Sequence, residues 1–586
     1  MGTPVTITFG ATDSGAGPVN YRLDVQPPGG TFQTIHDFNL KPSFVWAQNL
    51  VEGTYQLRIT ARDNSSQQQT AVVIPYTITS LVTGGSAVVT ATSHPLVALF
   101  SAPPCPAGST MLVFFSSQGK PPFSTDSRPC QAGASMNFLI GGMYATTTYN
   151  MNYLVTTKGV STTGPSTLQF TTGAIPSNVS LPAEVVEVPA SSATSAPERI
   201  LLTGCNIECI PFATDLAGKP VWYYAGTDLM NELNRMVRGG TFLADTGGSN
   251  IGTGSGLWGT QTKYQVLEEI DLRGYTVRDT NVDRVNEQLP VAAAIADFNH
   301  ESIRLPNGHT LAIGSNQAIF PPGTQGNSAR ISIVGDVIID LDPNMQVTWS
   351  WNAFDHDGGG SQLNINRPAT LGEQCTYNPN GTALLGCPPF LMTSPANDWL
   401  HGNSLQLEPD GSILMSLRHQ DWLIDIDYAN GTGTGNILWR MGLDGDFTML
   451  TTGQYPWFSH QHDAEFAVGG TTSLTLFDNG DVRISQFGGN SRGMALNVDI
   501  PNRTVSNAVA QDLSVYSIAA GSAQSLSNGD YMFFSGDVQY RSGLIDLSSE
   551  YSIAGTMTYG DIASGPAYRA FRVTDLYRPP NGSGVN

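Results

Sequence analysis

His300, His401 and His462 each open a phrase of one design, a polar start followed by a strand, a turn and a second strand: HESIRLPNGHTLAIG, HGNSLQLEPDGSILMSLRH and HDAEFAVGGTTSLTLFDNG. Equivalent positions in repeated hairpins would gather the three imidazoles at one end of a shared channel. Arg418 closes the second phrase. If Glu408 to Gly411 form its turn, Leu407 faces Ser412, and counting back along the ladder sets His401 opposite Arg418 unless a bulge intervenes. Asn403, two residues on, shares the His401 face.

Several imidazoles and one guanidinium, with no carboxylate pair nearby in sequence, suit a compact tetrahedral oxyanion. The guanidinium fork grips two oxygens and an imidazole donates to a third. Clustered cations depress one another's proton affinity and leave a ring free to act as nucleophile. His462 lies in the densest polar phrase, WFSHQHDAEF, and is the expected nucleophile. It would attack sulfur or phosphorus, expel a phenolate-like leaving group, and hand the group on to a second molecule. His460 reads as its supporting neighbour, His419 as a packing residue on the strand face opposite Arg418, and His356 in AFDHDGGG as a residue able to approach the channel mouth. The competing readings are a metal-dependent hydrolase or lyase built on the same histidines, against which Arg418 would repel the ion, and a non-catalytic binding propeller.

Positioning these groups requires a repeated scaffold, and one is written in the chain. Six copies of a strand ending in a turn-forming acid or polar residue, then another strand, run from Phe212 to Gly560, among them FATDLAGKPVWYYAG, LEEIDLRGYTVRDT and LIDIDYANGTGTGNILWRMG. Four are preceded by a further hairpin, beginning at His300, His401, His462 and near Gly521. Two hairpins make a four-stranded blade, so the expected fold is an all-β, six-bladed β-propeller over 181–586. Ahead of it, extended runs such as NYRLDVQ and TYQLRITARD, then TMLVFFSS and TYNMNYLVTT, read as immunoglobulin-like or fibronectin-like sandwich modules over 1–85 and 86–180. They hold no clustered reactive residues, so binding, spacing, dimerisation or stabilisation is their expected role.

Composition narrows the partners. A formal charge of -21 argues against nucleic acid, and any anion site must be cationic locally. No apolar run is long enough to span a membrane. The six cysteines fall in local pairs, 105 with 130, 205 with 209 and 375 with 387, which suits disulfides in an oxidising compartment. With no leader ahead of the first strand, the expectation is a secreted or periplasmic chain recorded after its leader was removed. Sequons at Asn64, Asn178, Asn380, Asn430, Asn502 and Asn581 permit glycosylation in a eukaryotic secretory host.

The phrases NAFDHD, DWLHGNSLQLEPDGSILMSLRHQDWLIDIDY, ILWRMGLDGDF, WFSHQHDAEF and FNHESIRLPNGHTL strongly resemble the arylsulfate sulfotransferase family, the group that uses no nucleotide sulfate donor. The resemblance runs from about Val188 to Tyr577. It implies a six-bladed propeller behind a sandwich, an exported and often dimeric protein, an aryl sulfate donor, a phenolic acceptor and no cofactor. Carried over by motif, it implies His462 in QHDA as the nucleophile, His401 and Asn403 in HGNS and Arg418 and His300 at the sulfuryl group, and Tyr568 in AYRAFR near the leaving or acceptor oxygen. Many relatives read His-His-Asp where this chain has Asn299, His300 and Glu301, so the surroundings of His300 differ. That difference, and the additional sandwich module, could change the acceptor or let water take the group, giving an aryl sulfate ester hydrolase.

Overall fold

The computed structural model describes residues 1–12, 18–131, 133–191, 196–204, 210–227, 230–246, 265–376, 387–388, 393–540, 543–565 and 567–580. Strands dominate, as the short apolar runs and abundant turn residues require. In the first module a four-stranded sheet, ordered Gln33–Asn39, Val19–Gln26, Gly53–Asp63, Gln69–Ile78, lies with the Val5–Thr8 and Ser43–Trp46 pair around Leu23, Trp46, Tyr55 and Leu57. The second pairs a three-stranded with a six-stranded sheet. Its Ser109–Ser117 strand buries every second residue more deeply, the period of a sheet with one face in the core.

Six further sheets follow among the described residues, antiparallel except where Ala396–Asp398 and Thr448–Met449 add in parallel. Each starts from one strand and meanders outward: Met230–Val237, Asp297–Arg304, Gly402–Leu407, His462–Phe466, Ser522–Ser525 and Ala570–Val573. From Met230–Val237 to Ala570–Val573 each of these starting strands touches the next in this order. The last packs back towards the first, with the Arg235 guanidinium 4.7 Å from the Phe571 ring centroid. Two pairings join the ends of this region. Glu184–Val188 adds to the edge of the Met557–Ser564 strand, and Ile200–Thr203 pairs with Ala570–Val573. The four inner hairpins expected from sequence are present at their expected places. A fifth, Met230–Val237 with Thr241–Thr246, has no matching phrase and was not anticipated.

The sandwich modules are fastened to these sheets by specific contacts. His36 Nδ1 lies 2.7 Å from Asp279 Oδ2, Arg62 forms a bidentate pair with Glu287, and Arg273 donates to the Ala47 carbonyl at 2.7 Å. The Tyr577 hydroxyl accepts from the Gly141 N–H at 2.8 Å. No helix among the described residues is long and apolar enough to cross a membrane.

Cys105–Cys130 and Cys375–Cys387 are disulfides, while the 205/209 pair lies outside the described residues. The first closes a loop with a sequence separation of 25. Replacing both of its cysteines by serine should lower stability by about 3 kcal/mol through the freed chain entropy of the unfolded state, read as a shift in denaturant unfolding. An unchanged midpoint would count against this.

Candidate active site

His300, His401 and His462 converge, as their phrases predict. His300 and His401 lie with Nε2 atoms 3.1 Å apart, the His300 ring stacks on Tyr568 at 5.4 Å, and Tyr568 meets His462 edge-on at 5.9 Å. Four sheets thus supply one cluster. His300 and His401 both sit at positive φ, 54° and 56°, beside bulges in their strands. That conformation costs a non-glycine residue on the order of 1–2 kcal/mol, a strain the surrounding sheet must hold.

Arg418 reaches the cluster by a different count from the expected one. Leu407 pairs with Ile413 rather than Ser412, and a bulge at Asn403 then recovers the missing residue, so the Arg418 N–H donates to the His401 carbonyl at 3.2 Å. Beyond Leu417 the strand turns into a 3-10 turn, Arg418–Gln420. His419 is therefore not on an opposite face: its Nε2 accepts from Arg418 Nη1 at 2.6 Å, and its ring stacks on His401 at 4.5 Å. Asp481 and the Ile518 carbonyl, each at 2.8 Å, hold the other end of the guanidinium.

Carboxylates do flank these rings, contrary to the sequence reading. Asp398 Oδ2 lies 2.8 Å from His401 Nδ1 and Glu232 Oε1 lies 3.4 Å from His300 Nδ1. Burial would raise the Asp398 carboxyl, but His419 and His401 beside it hold it far below the usual range. Ionised Asp398 can only accept, so His401 carries its proton on Nδ1 and offers a bare Nε2 to His300. Burial and the neighbouring His419 push His401 down to about 3, against the pull of Asp398, so the ring is neutral at physiological pH. Burial, then the Arg418 guanidinium, then His300 and Arg569, drive His462 well below its usual value against the Asn479 hydrogen bond. Its ring is neutral too.

The lowered His401 value has a thermodynamic consequence with a definite sign. Below about pH 6.5 the unfolded chain binds a proton that folded His401 refuses, so this group removes stability as pH falls from there towards 3. A His401→Gln variant should lose that part of the slope. The difference in melting temperature between variant and parent should narrow on acidification from pH 7 to 4, and a constant difference would reject the assignment.

Two predicted residues make their contacts elsewhere. Both nitrogens of His460 are taken, Nδ1 by Asp421 at 3.0 Å and Nε2 by Glu373. Burial disfavours its charge, yet those two hydrogen bonds outweigh burial and raise it. With both nitrogens paired, its ring lies 5.6 Å from that of His419, behind the cluster. His356 lies in a 3-10 turn, stacked on Trp351 at 5.4 Å, and does not join the cluster. Asn403, fully buried, turns its Nδ2 to the Gln461 carbonyl at 2.8 Å and leaves Oδ1 unmatched. Among the described residues, the Tyr568 hydroxyl and Arg418 Nε are unmatched as well.

Sequence reasoning passed over the layer beneath. Arg235 joins Glu301, Asp463 and Glu465, each at 2.7 Å, and Arg569 joins Glu301 at 2.7 Å and the Asn403 carbonyl. Burial first, and Asp463 and Glu301 with it, push Glu465 up to about 7 against the pull of Arg235. Glu301 follows His300 and Asp463 follows His462, so the network grips the backbone that presents both rings. The only local signal was the excess of charge in HES and HDAEF.

Among the described residues, two side-chain groups have the spacing of metal ligands, Glu373/His419/His460 and Asp398/His401/His419. They share His419, whose Nδ1 donates to the Asp398 carbonyl at 2.9 Å while Nε2 accepts from Arg418. A cation at either group would displace one of these bonds beside a guanidinium, so the residues present do not favour one.

Neutral imidazoles at His401 and His462, a fixed guanidinium and unmatched donors drawn from neighbouring sheets could hold a small oxyanion. The chain belongs to the arylsulfotransferase (ASST) family, whose model matches residues 185–560. A search of curated proteins finds no match. Among solved structures, the chicken interferon gamma receptor alpha chain is 14% identical, covering 28% of this chain and 89% of that one with a TM-score of 0.13. A protein of unknown function from Bacteroides caccae is 12% identical, covering 53% and 99% with a TM-score of 0.23. Scores this low carry no argument about the fold.

Proposed function

We propose that the protein transfers a sulfuryl group from an aryl sulfate ester to a phenolic acceptor through a sulfohistidine at His462. The convergence of His300, His401, His462 and Tyr568 from four sheets carries this reading. The lone pair on His462 Nε2 forms a bond to sulfur while the bond from sulfur to the aryl oxygen breaks, and the phenolate leaves with its electron pair. Arg418 and His300 offset the charge gathering on the sulfuryl oxygens. His401 steadies His300 through their Nε2 contact, and Tyr568 offers its hydroxyl to the leaving or accepting oxygen. The oxygen of a phenol then bonds to sulfur as the bond from sulfur to Nε2 breaks and its electron pair returns to the ring, the phenol's proton passing to the departed phenolate or to solvent, which gives ping-pong transfer. The formal charge of -21 repels an anionic donor at long range, so the local cations must supply the attraction.

The consecutive contacts of six starting strands favour a six-bladed β-propeller over 181–586, preceded by sandwich modules at 1–85 and 86–180. The two disulfides fit a secreted or periplasmic location. A homodimer formed through the sandwich modules completes the proposal.

The test is brief exposure to 4-nitrophenyl sulfate, then peptide mass analysis. A sulfuryl increment on the His462 peptide, discharged by added phenol, is the expected result. Nitrophenol release unaffected by phenol would identify a hydrolase instead, and absence of the adduct in active protein would reject the covalent route.

A further inference from the structure

We propose that Asn479 is a positioning residue that locks His462 in the Nδ1–H tautomer and so presents Nε2 as the attacking nitrogen, an inference that rests on the sulfohistidine reading above. Asn479 follows the Ser473–Asp478 strand that pairs with the His462 strand, and it is completely buried. Its Nδ2 donates to the Ser517 carbonyl at 2.7 Å and to the Ala520 carbonyl at 3.1 Å. Carbonyls only accept, so these two bonds settle which end of the amide carries the hydrogens. The other end, Oδ1, must face His462 and lies 2.6 Å from its Nδ1. An amide oxygen cannot donate, so the imidazole must hold its proton there. The Asn479 carbonyl is tied down as well, accepting from the Ser491 hydroxyl at 3.0 Å.

A neutral amide suits both half-reactions in a way that a carboxylate would not. In the first, Nε2 gains a bond to sulfur as the aryl oxygen departs, and the proton on Nδ1 stays where it is. The N-sulfo ring is then cationic, and Asn479 cannot take that proton from it. Sulfur therefore sits on a good leaving group, ready for the phenol. Aspartate at this place would hold the same tautomer but would favour the protonated ring before attack. The groups that act most on the His462 ring are Arg418, His300 and Arg569, with Tyr568 edge-on to it, and the side chain at its Nδ1 is an amide rather than a carboxylate.

Long-range nitrogen–proton correlation on histidine-labelled, full-length protein reads the tautomer directly, with the His462 signals assigned by their loss in His462→Gln. Protonated Nδ1 and bare Nε2 are expected, and a proton on Nε2 would overturn the proposal whatever any variant does. Asn479→Leu should lower kcat by about 10²- to 10⁴-fold with KM changed less than threefold, the pattern of a misplaced catalytic ring. Asn479→Asp should recover activity as pH rises, and Asn479→Leu should not. Wild-type kcat in Asn479→Leu would reject the role. An Nδ1–H tautomer found together with no sulfuryl adduct on wild-type His462 would instead reject the covalent reading and leave the positioning role standing.

Discussion

His462→Ala should lower turnover of an aryl sulfate by roughly 10⁴- to 10⁶-fold, the scale on which enzymes suffer when a covalent nucleophile is lost. The ring is 1% exposed, neutral through burial and the nearby Arg418 guanidinium, and held through Nδ1 by Asn479. Among the described residues, its Nε2 is the one nitrogen of the clustered rings that no neighbour claims. The structural cost of the substitution is small by comparison: it leaves Asn479 Oδ1 without a donor, worth about 1–3 kcal/mol. The variant should therefore fold and still bind donor, which separates lost chemistry from lost structure. Adding imidazole to His462→Gly should restore part of the rate. Turnover of His462→Ala within tenfold of the parent would remove His462 from the mechanism.

Arg235→Met should destabilise the protein by about 3–5 kcal/mol, the usual penalty for stripping one partner from a buried ionic set. Arg235 has a side-chain exposure of 2% and neutralises Glu301, Asp463 and Glu465 together. Without it, Arg569 alone would face three buried carboxylates. The uncompensated charge would sit directly below His300 and His462, because Glu301 and Asp463 are their neighbours in sequence. Activity should accordingly fall with stability. The double variant Arg235→Met, Glu465→Gln should regain part of the loss, since burial already lifts Glu465 to about 7 and its charge is the most readily given up of the three. Denaturant unfolding of the two variants measures this, and a loss below about 1 kcal/mol for Arg235→Met would show that the network contributes little.

The expected and observed sites differ in an instructive way. Matching phrases located His300, His401 and His462 because a hairpin repeats its own pairing every few residues, and that period is visible in the letters. The position of Arg418 opposite His401 was reached with the turn miscounted by one residue, and the bulge at Asn403 made up the difference. His356 lies in a 3-10 turn after the Val347–Asn352 strand and stacks on Trp351, at a place that no hairpin period constrains. His460 was read as a supporting neighbour of His462, and nothing nearby in sequence reveals Asp421 or Glu373 as its partners. The split sheet that joins Ile200–Thr203 to Ala570–Val573 escaped notice for the same reason.

The letters alone determined that this chain is built of strands in repeated hairpins, that paired cysteines tie its loops, and that three imidazoles and a guanidinium share one end of those hairpins. Those features are local, set by side-chain alternation, turn residues and ladder counting. Tertiary structure decided the protonation and strength of the site: the Asn479 amide across 17 residues, and the Arg569 bond to Glu301 across 268. Such contacts form only when separate sheets close on one another, and burial then turns ordinary polar groups into fixed dipoles and unpaired nitrogens that no linear pattern encodes.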